Sequence, residues 1–199
     1  MNHPVLREDL ELEHPARPHM VAAAWAIAAT VTEHWAGVHL EAHSGERYLT
    51  MATAPGQPPL VTFTDTGITM AREPETESLD WFNVFAEPFP TTTGDVIVDA
   101  FAPTEPRTDT PHDVIATRLI AHLLAHTVDH VAAYGIGGDS LRGWDVTFDD
   151  EIVLSIDSTT ITAHSDPPRR LNLASELKLA GGDHLLLAYR VLDLADATG

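Results

Sequence analysis

The chain has 199 residues, 30 acidic and 11 basic, for a formal charge of −19, and it contains no cysteine. That charge repels phosphate backbones and anionic lipid, so no nucleic acid and no membrane surface is expected among its partners. The missing thiols exclude disulfides, thiolate metal sites and a cysteine nucleophile, while 44% apolar and 21% charged residues suit a globular chain long enough to bury a core.

Residues 1–18, with alternating charge and little apolar content, read as a flexible N-terminal arm. Its acidic run from Arg7 to Glu13 is unlike the start of a signal peptide. From His19 to about Gly37 an alanine-rich stretch predicts a helix, with Val21, Trp25, Ala28, Thr32 and Trp35 on one face. Its apolar run from Met20 to Val31 is too short to span a membrane and has the length of a buried core helix. A cytoplasmic protein is therefore expected.

Alternation predicts strands at 38–43 and 47–53, a proline-rich loop follows at 55–59, and Asp65-Thr66-Gly67 reads as a hairpin turn between strands 60–64 and 68–72. The stretch 73–78 is polar. Residues 79–85 fit a short helix or a strand, and 95–101, rich in β-branched residues, predict a strand. After a proline- and threonine-rich connector, Thr110-Pro111-His112-Asp113 has the form of a helix start. That helix is expected to run from 111 to 134 and close at Gly135. Strands are expected at 143–148, 151–156 and 160–164, a short helix at 171–180, and a final strand, with a helix left open, at 183–192.

The two halves read alike. The segment 61–69 is similar to 153–162, and Gly94 to Phe101 is similar to Gly182 to Tyr189, at offsets of 92 and 88 residues. The expected architecture is therefore α+β: two long helices packed on largely antiparallel sheets. An internal duplication with pseudo-two-fold symmetry would make 19–103 and 108–199 two repeats packed as one globular unit. In element order alone the pattern resembles the compact helix-and-sheet folds of type III secretion chaperones; no motif links them, and element order does not carry function.

The chemistry is sparse. Of the 12 histidines, His122, His126 and His130 lie four apart on the expected second helix. Neighbours at that spacing share a face and could chelate a metal, but eight residues of helix span about 12 Å, too far for all three to hold one ion. The run His126-Thr127-Val128-Asp129-His130 has the outline of an inverted zinc-protease motif, with the shorter Asp129 in the glutamate position. On a helical wheel the three histidines border a core arc that includes Leu119, Ile120, Leu123 and Leu124, as boundary-packing residues do. No nucleophile elbow, dinucleotide fingerprint or phosphate loop is present. No metal and no cofactor is expected. The leading expectation is a non-catalytic binding or adaptor module for a protein partner or a second copy. The rival is a small-molecule-binding protein or enzyme using a cleft between the halves, with His122, His126, Asp129 and His130 as its polar groups.

Overall fold

The computed structural model describes residues 17–43, 45–72, 75–86, 91–108, 112–124, 130–135, 141–148, 151–157, 159–165 and 167–196. The expected N-terminal arm lies outside these, apart from Arg17 and Pro18, which open the first helix. That helix, α1 (Arg17–His34), carries the predicted apolar face. Ala24, Trp25, Ile27, Ala28 and Val31 are all at most 1% exposed. Gly37, with φ of +76°, turns the chain beyond it.

Five strands follow, β1 (His39–Ala42), β2 (Arg47–Ala52), β3 (Val61–Thr64), β4 (Gly67–Arg72) and β5 (Glu75–Leu79), each antiparallel to the next in a simple meander. The cross-strand register puts Leu40, Leu49, Met51, Val61, Phe63, Ile68 and Met70 on one face, all buried. The opposite face carries a row of polar residues, Glu41–Thr50–Thr62–Thr69–Ser78, one from each strand. The tight β3–β4 turn needs its glycine. Gly67 has φ of +148°, and a Cβ there would sit 2.2 Å from the Leu79 carbonyl oxygen. Beyond β5, α2 (Trp81–Ala86) inserts Trp81 between Phe63 and Phe85 and sends its indole N–H to the Thr64 carbonyl at 2.6 Å.

After α2 comes α3 (Thr91–Ala100), where the sequence predicts a strand. Ile97 and Phe101, four apart and fully buried, explain the difference: helical spacing brings both to the core. The Trp35 indole ties the end of α1 to α3 through the Val98 carbonyl, 2.8 Å away. Packing has overridden the β-branched composition. Backbone bonds from Ala36 to Glu105 and from Arg107 to His34 then clamp the connector to the end of α1.

The second half opens with α4 (His112–Leu124), and here the expected helix over 111–134 is corrected. It is described as far as Leu124, and His130–Gly135 form a strand, β6, paired antiparallel with β7 (Leu141–Phe148). The ladder with β7 pairs one edge of 130–135, and that non-local pairing outweighs the helix propensity of its alanines. β8 (Glu151–Asp157), β9 (Thr160–Ala163) and β10 (Arg169–Asn172) complete a second five-stranded antiparallel meander. Asp157 holds the β8–β9 turn by accepting from the backbone N–H groups of Thr159 and Thr160 at 2.7 and 2.6 Å.

Two helices end the chain, α5 (Leu173–Leu179) and α6 (His184–Asp196), the latter replacing the expected final strand. Asn172 caps α5 by accepting from the Ser175 N–H at 2.9 Å. Gly181 and Gly182, with φ of +68° and +82°, make the corner. Asp183 then caps α6 by accepting from the N–H groups of Leu185 and Leu186.

The fold is therefore α+β, with six helices and two antiparallel sheets among the described residues. Helices α1 and α4 pack along each other, α3 lies against α1, α6 lies against α4, and β1 runs beside β6. The buried side chains form one cluster drawn from both halves. Trp25 of α1 meets Trp144 of β7 edge-to-face at 5.6 Å within it. No described helix is long and apolar enough to cross a membrane.

Candidate functional site

The histidine stripe is not assembled as a helical face. His122 lies in the last turn of α4, His126 and Asp129 fall outside the described residues, and His130 is the first residue of β6, in register with Thr147. The buried arc of α4 is the expected one: Leu119, Ile120, Leu123 and Leu124 are 0–4% exposed, with half-buried His122 on the border. Its environment includes His184, the first residue of α6, whose Nε2 is buried without a hydrogen-bond partner among the described residues. Burial pushes the His184 pKa below its ordinary value; Arg118 and His122 push the same way, and Asp183 and Glu33 oppose them. Arg118 in turn pairs with Glu33 of α1. Among the described residues no three histidines, aspartates or glutamates are placed to hold a metal ion.

The described surface offers a different polar site, on the outer face of the first sheet. A cavity of about 340 Å³ is lined by His39, Glu41 and His43 of β1 and its extension, by Arg47, Thr50 and Ala52 of β2, and by loop 56–59. Strand geometry builds it. Residues 39, 41 and 43 alternate onto one face, because successive side chains of a strand point to opposite sides. Small Thr50 and Ala52 lie opposite Glu41 and His39 in the register, leaving room beneath the longer side chains. Arg47 is delivered by a β-bulge, in which Arg47 pairs with Thr64 and Leu49 with Phe63, so Tyr48 is the extra residue. Buried Tyr48 donates its hydroxyl proton to Asp65 and lies under the Arg17 guanidinium, 5.3 Å from ring centre to charge.

His43 Nε2 is 2.9 Å from the Thr50 hydroxyl. Burial lowers the His43 pKa, Glu41 opposes this and Arg47 reinforces it, so the ring is mainly neutral at neutral pH. The sequence reading passed over this group, although His39-Leu40-Glu41-Ala42-His43 displays its polar residues at a period of two.

A second polar group occupies the outer face of the second sheet. The Ser155 hydroxyl donates to Asp145 at 2.6 Å and lies 2.7 Å from His164 Nε2. The order carboxylate–hydroxyl–imidazole differs from a nucleophilic relay, where the imidazole stands between the other two. The hydroxyl thus links the Asp145 carboxylate to the His164 ring across the sheet face. The group orders side chains on a sheet face.

The third feature is apolar. Leu179 at the end of α5 and Leu185, Leu186 and Tyr189 of α6 are 67, 37, 51 and 46% exposed. Around them stand Asp183, Asp193 and the Arg190–Glu176 ion pair at 2.8 Å. Compared with family models, curated proteins and solved structures, the chain matches none of them. The fold thus defines an α+β protein of two antiparallel meanders sharing one core, and its sites must speak for its function.

Proposed function

We propose that the chain is a non-catalytic protein-binding module whose contact surface is the α5–α6 corner. The observation that carries this reading is the apolar group Leu179, Leu185, Leu186 and Tyr189, held out on two capped helices. Leucines scattered singly over a surface mean little, but large apolar side chains gathered on adjoining elements and rimmed by polar ones mark contact sites. The partner is an amphipathic segment with lysines or arginines flanking its apolar face. A net charge of −19 attracts such a segment and repels a second copy of the chain.

We also infer that the two halves arose by duplication. Support comes from the shared order of helix, five-stranded meander and two closing helices, and from the segment 61–69 aligning without a gap on 154–162 when the β3–β4 and β8–β9 pairings are matched.

A fluorescein-labelled helix of leucine and lysine, amphipathic in one version and scrambled in the other, tests the contact surface by fluorescence anisotropy. Changing Leu179, Leu186 and Tyr189 together to Asp should weaken the amphipathic peptide by about tenfold or more, or 1.4 kcal/mol. Equal binding of both peptides, or no loss in the variant, would refute the reading. Self-association in sedimentation velocity that the variant abolishes would replace the proposed partner by a second copy.

A further inference from the structure

We propose that the cavity on the outer face of the first sheet binds a small zwitterion of the α-amino-acid kind, its carboxylate held by Arg47 and its ammonium group by Glu41. The proposal does not depend on the α5–α6 surface, with which the cavity shares no residue.

The first argument is charge. Arg47 and Glu41 line one cavity, and both bear on the half-buried ring of His43 between them in sequence, one lowering and one raising its pKa. With His43 mainly neutral, the pair presents one positive and one negative group and little net charge. A simple anion would gain Arg47 but meet Glu41 and the field of a chain with 30 acidic residues. A simple cation would gain Glu41 and meet Arg47. A ligand carrying both signs satisfies both groups and crosses the field at little cost.

The second argument is shape. The bulge at Tyr48 is what turns Arg47 onto this face, and bulges recur where a sheet re-aims a side chain toward a ligand. Without it, the alternation of β2 would place positions 47 and 50 on opposite faces. The volume, about 340 Å³, lies at the small end of ligand pockets and fits a molecule of about ten heavy atoms. Beneath the charged groups, Thr50 and Ala52 leave space for a short side chain, and Pro58 and Pro59 give an apolar wall whose φ angles are fixed in advance.

The third argument is specificity. His43 Nε2 is engaged with Thr50, which fixes the ring and leaves Nδ1 as its remaining polar atom. Together with His39 it can grade ligands by side-chain hydrogen bonding.

The test is titration of the ¹⁵N-labelled full chain with the standard amino acids to millimolar concentration, followed by amide chemical shifts. Further arms use the N-acetyl and amide derivatives of the best ligand, its dipeptide, acetate and inorganic phosphate. Saturable shifts confined to 39–52 and 56–59 are expected. Each capped derivative should bind about tenfold more weakly or worse, since one charge of the site is left unmatched. Arg47→Ala should weaken the amino acid by a similar factor, and Glu41→Gln should erase the preference for the free ammonium over its N-acetyl form. Both positions are exposed, so the variants keep the wild-type spectrum. A dipeptide that binds more tightly than the free amino acid upholds the chemistry and identifies a peptide as its source. Acetate or phosphate binding as tightly as the zwitterion, no saturable shift with any probe, or wild-type binding by both variants would overturn the proposal.

Discussion

Removal of Trp25 tests whether the two halves share one core. Its side chain is 1% exposed, in a helix of the first half, yet its ring partner is Trp144 in a strand of the second, 5.6 Å away at an interplanar angle of 87°. A buried Trp→Ala change costs about 3–5 kcal/mol from lost transfer energy and the cavity left behind. The edge-to-face pair contributes about 0.5–1.5 kcal/mol beyond its buried area. Trp25→Ala, Trp144→Ala and the double variant therefore form a cycle with an expected coupling of about that size. The summed cost, about 6–10 kcal/mol, approaches the whole stability of an ordinary domain, so the cycle is run in a fixed concentration of trimethylamine oxide. Urea unfolding is followed by circular dichroism and by the remaining tryptophan fluorescence. A single transition that moves as a whole in every variant is expected. Two transitions, with Trp25→Ala displacing only one, or singles that add within about 0.3 kcal/mol, would refute the shared core.

Four further outcomes follow from named contacts. Gly67→Ala should destabilise by about 3 kcal/mol or more, because its φ and the nearby Leu79 carbonyl leave no place for a Cβ; thermal melts measure it. Asp157→Ala should cost about 1–2 kcal/mol in urea melts by leaving the N–H groups of Thr159 and Thr160 without an acceptor, the figure being modest because the turn is exposed to water. Burial raises the Asp157 pKa, but the Thr160 hydroxyl, those two N–H groups and the Thr159 hydroxyl together outweigh it and lower the pKa, so its stabilisation is present above the unfolded value of 3.8 and lost as pH falls through the folded one. His184 and His43 have folded pKa values below 6.5, so the unfolded chain takes up protons first and stability should fall as pH drops from 7.5 toward 5.5; His184→Asn should flatten that slope, and an unchanged slope would show that burial of His184 is not its source.

Much of the fold was legible because local signals carried it. Trp25, Ala28 and Trp35 recur at helical spacing whatever the rest of the chain does, and Asp65-Thr66-Gly67 makes a tight turn by its own chemistry. The elements misread are those decided at a distance. The β-branched residues of α3 follow the helical spacing of Ile97 and Phe101 into the core, and β6 exists because β7 is there to pair with it. For α6 the signal was local after all: glycines at 181 and 182 followed by Asp183 spell a helix end and a new cap. The cavity was half legible. The alternation of His39, Glu41 and His43 marks a polar strand face, but the side on which Arg47 falls depends on a bulge fixed by pairing with β3. The spacing of the histidine stripe counted on one helix from 122 to 130, whereas His130 stands in β6.

On the proposed duplication, the first half alone should bind the ligand, and the reason can be read strand by strand. Matching the two sheets through their pairings sets His130 at the place of His39, Ala132 at that of Glu41, Asp145 at that of Thr50 and Ser155 at that of Thr62. The decisive exchange is at Arg47, whose partner Thr64 corresponds to Asp157, the partner of Gly143. The second sheet thus has glycine where the first has its cation. Its bulge lies between Val146 and Thr147, toward the other end of the strand, so no residue is turned onto the face at that point. Its carboxylate, Asp145, is engaged by the Ser155 hydroxyl rather than set opposite a guanidinium. A zwitterion would find neither of its counter-charges there. Titration calorimetry should therefore give one bound amino acid per chain, and Arg47→Ala should weaken that one site about tenfold without uncovering another. Two sites per chain, or a site whose affinity that substitution leaves unchanged, would mean that the second sheet has kept a binding function its residues do not explain.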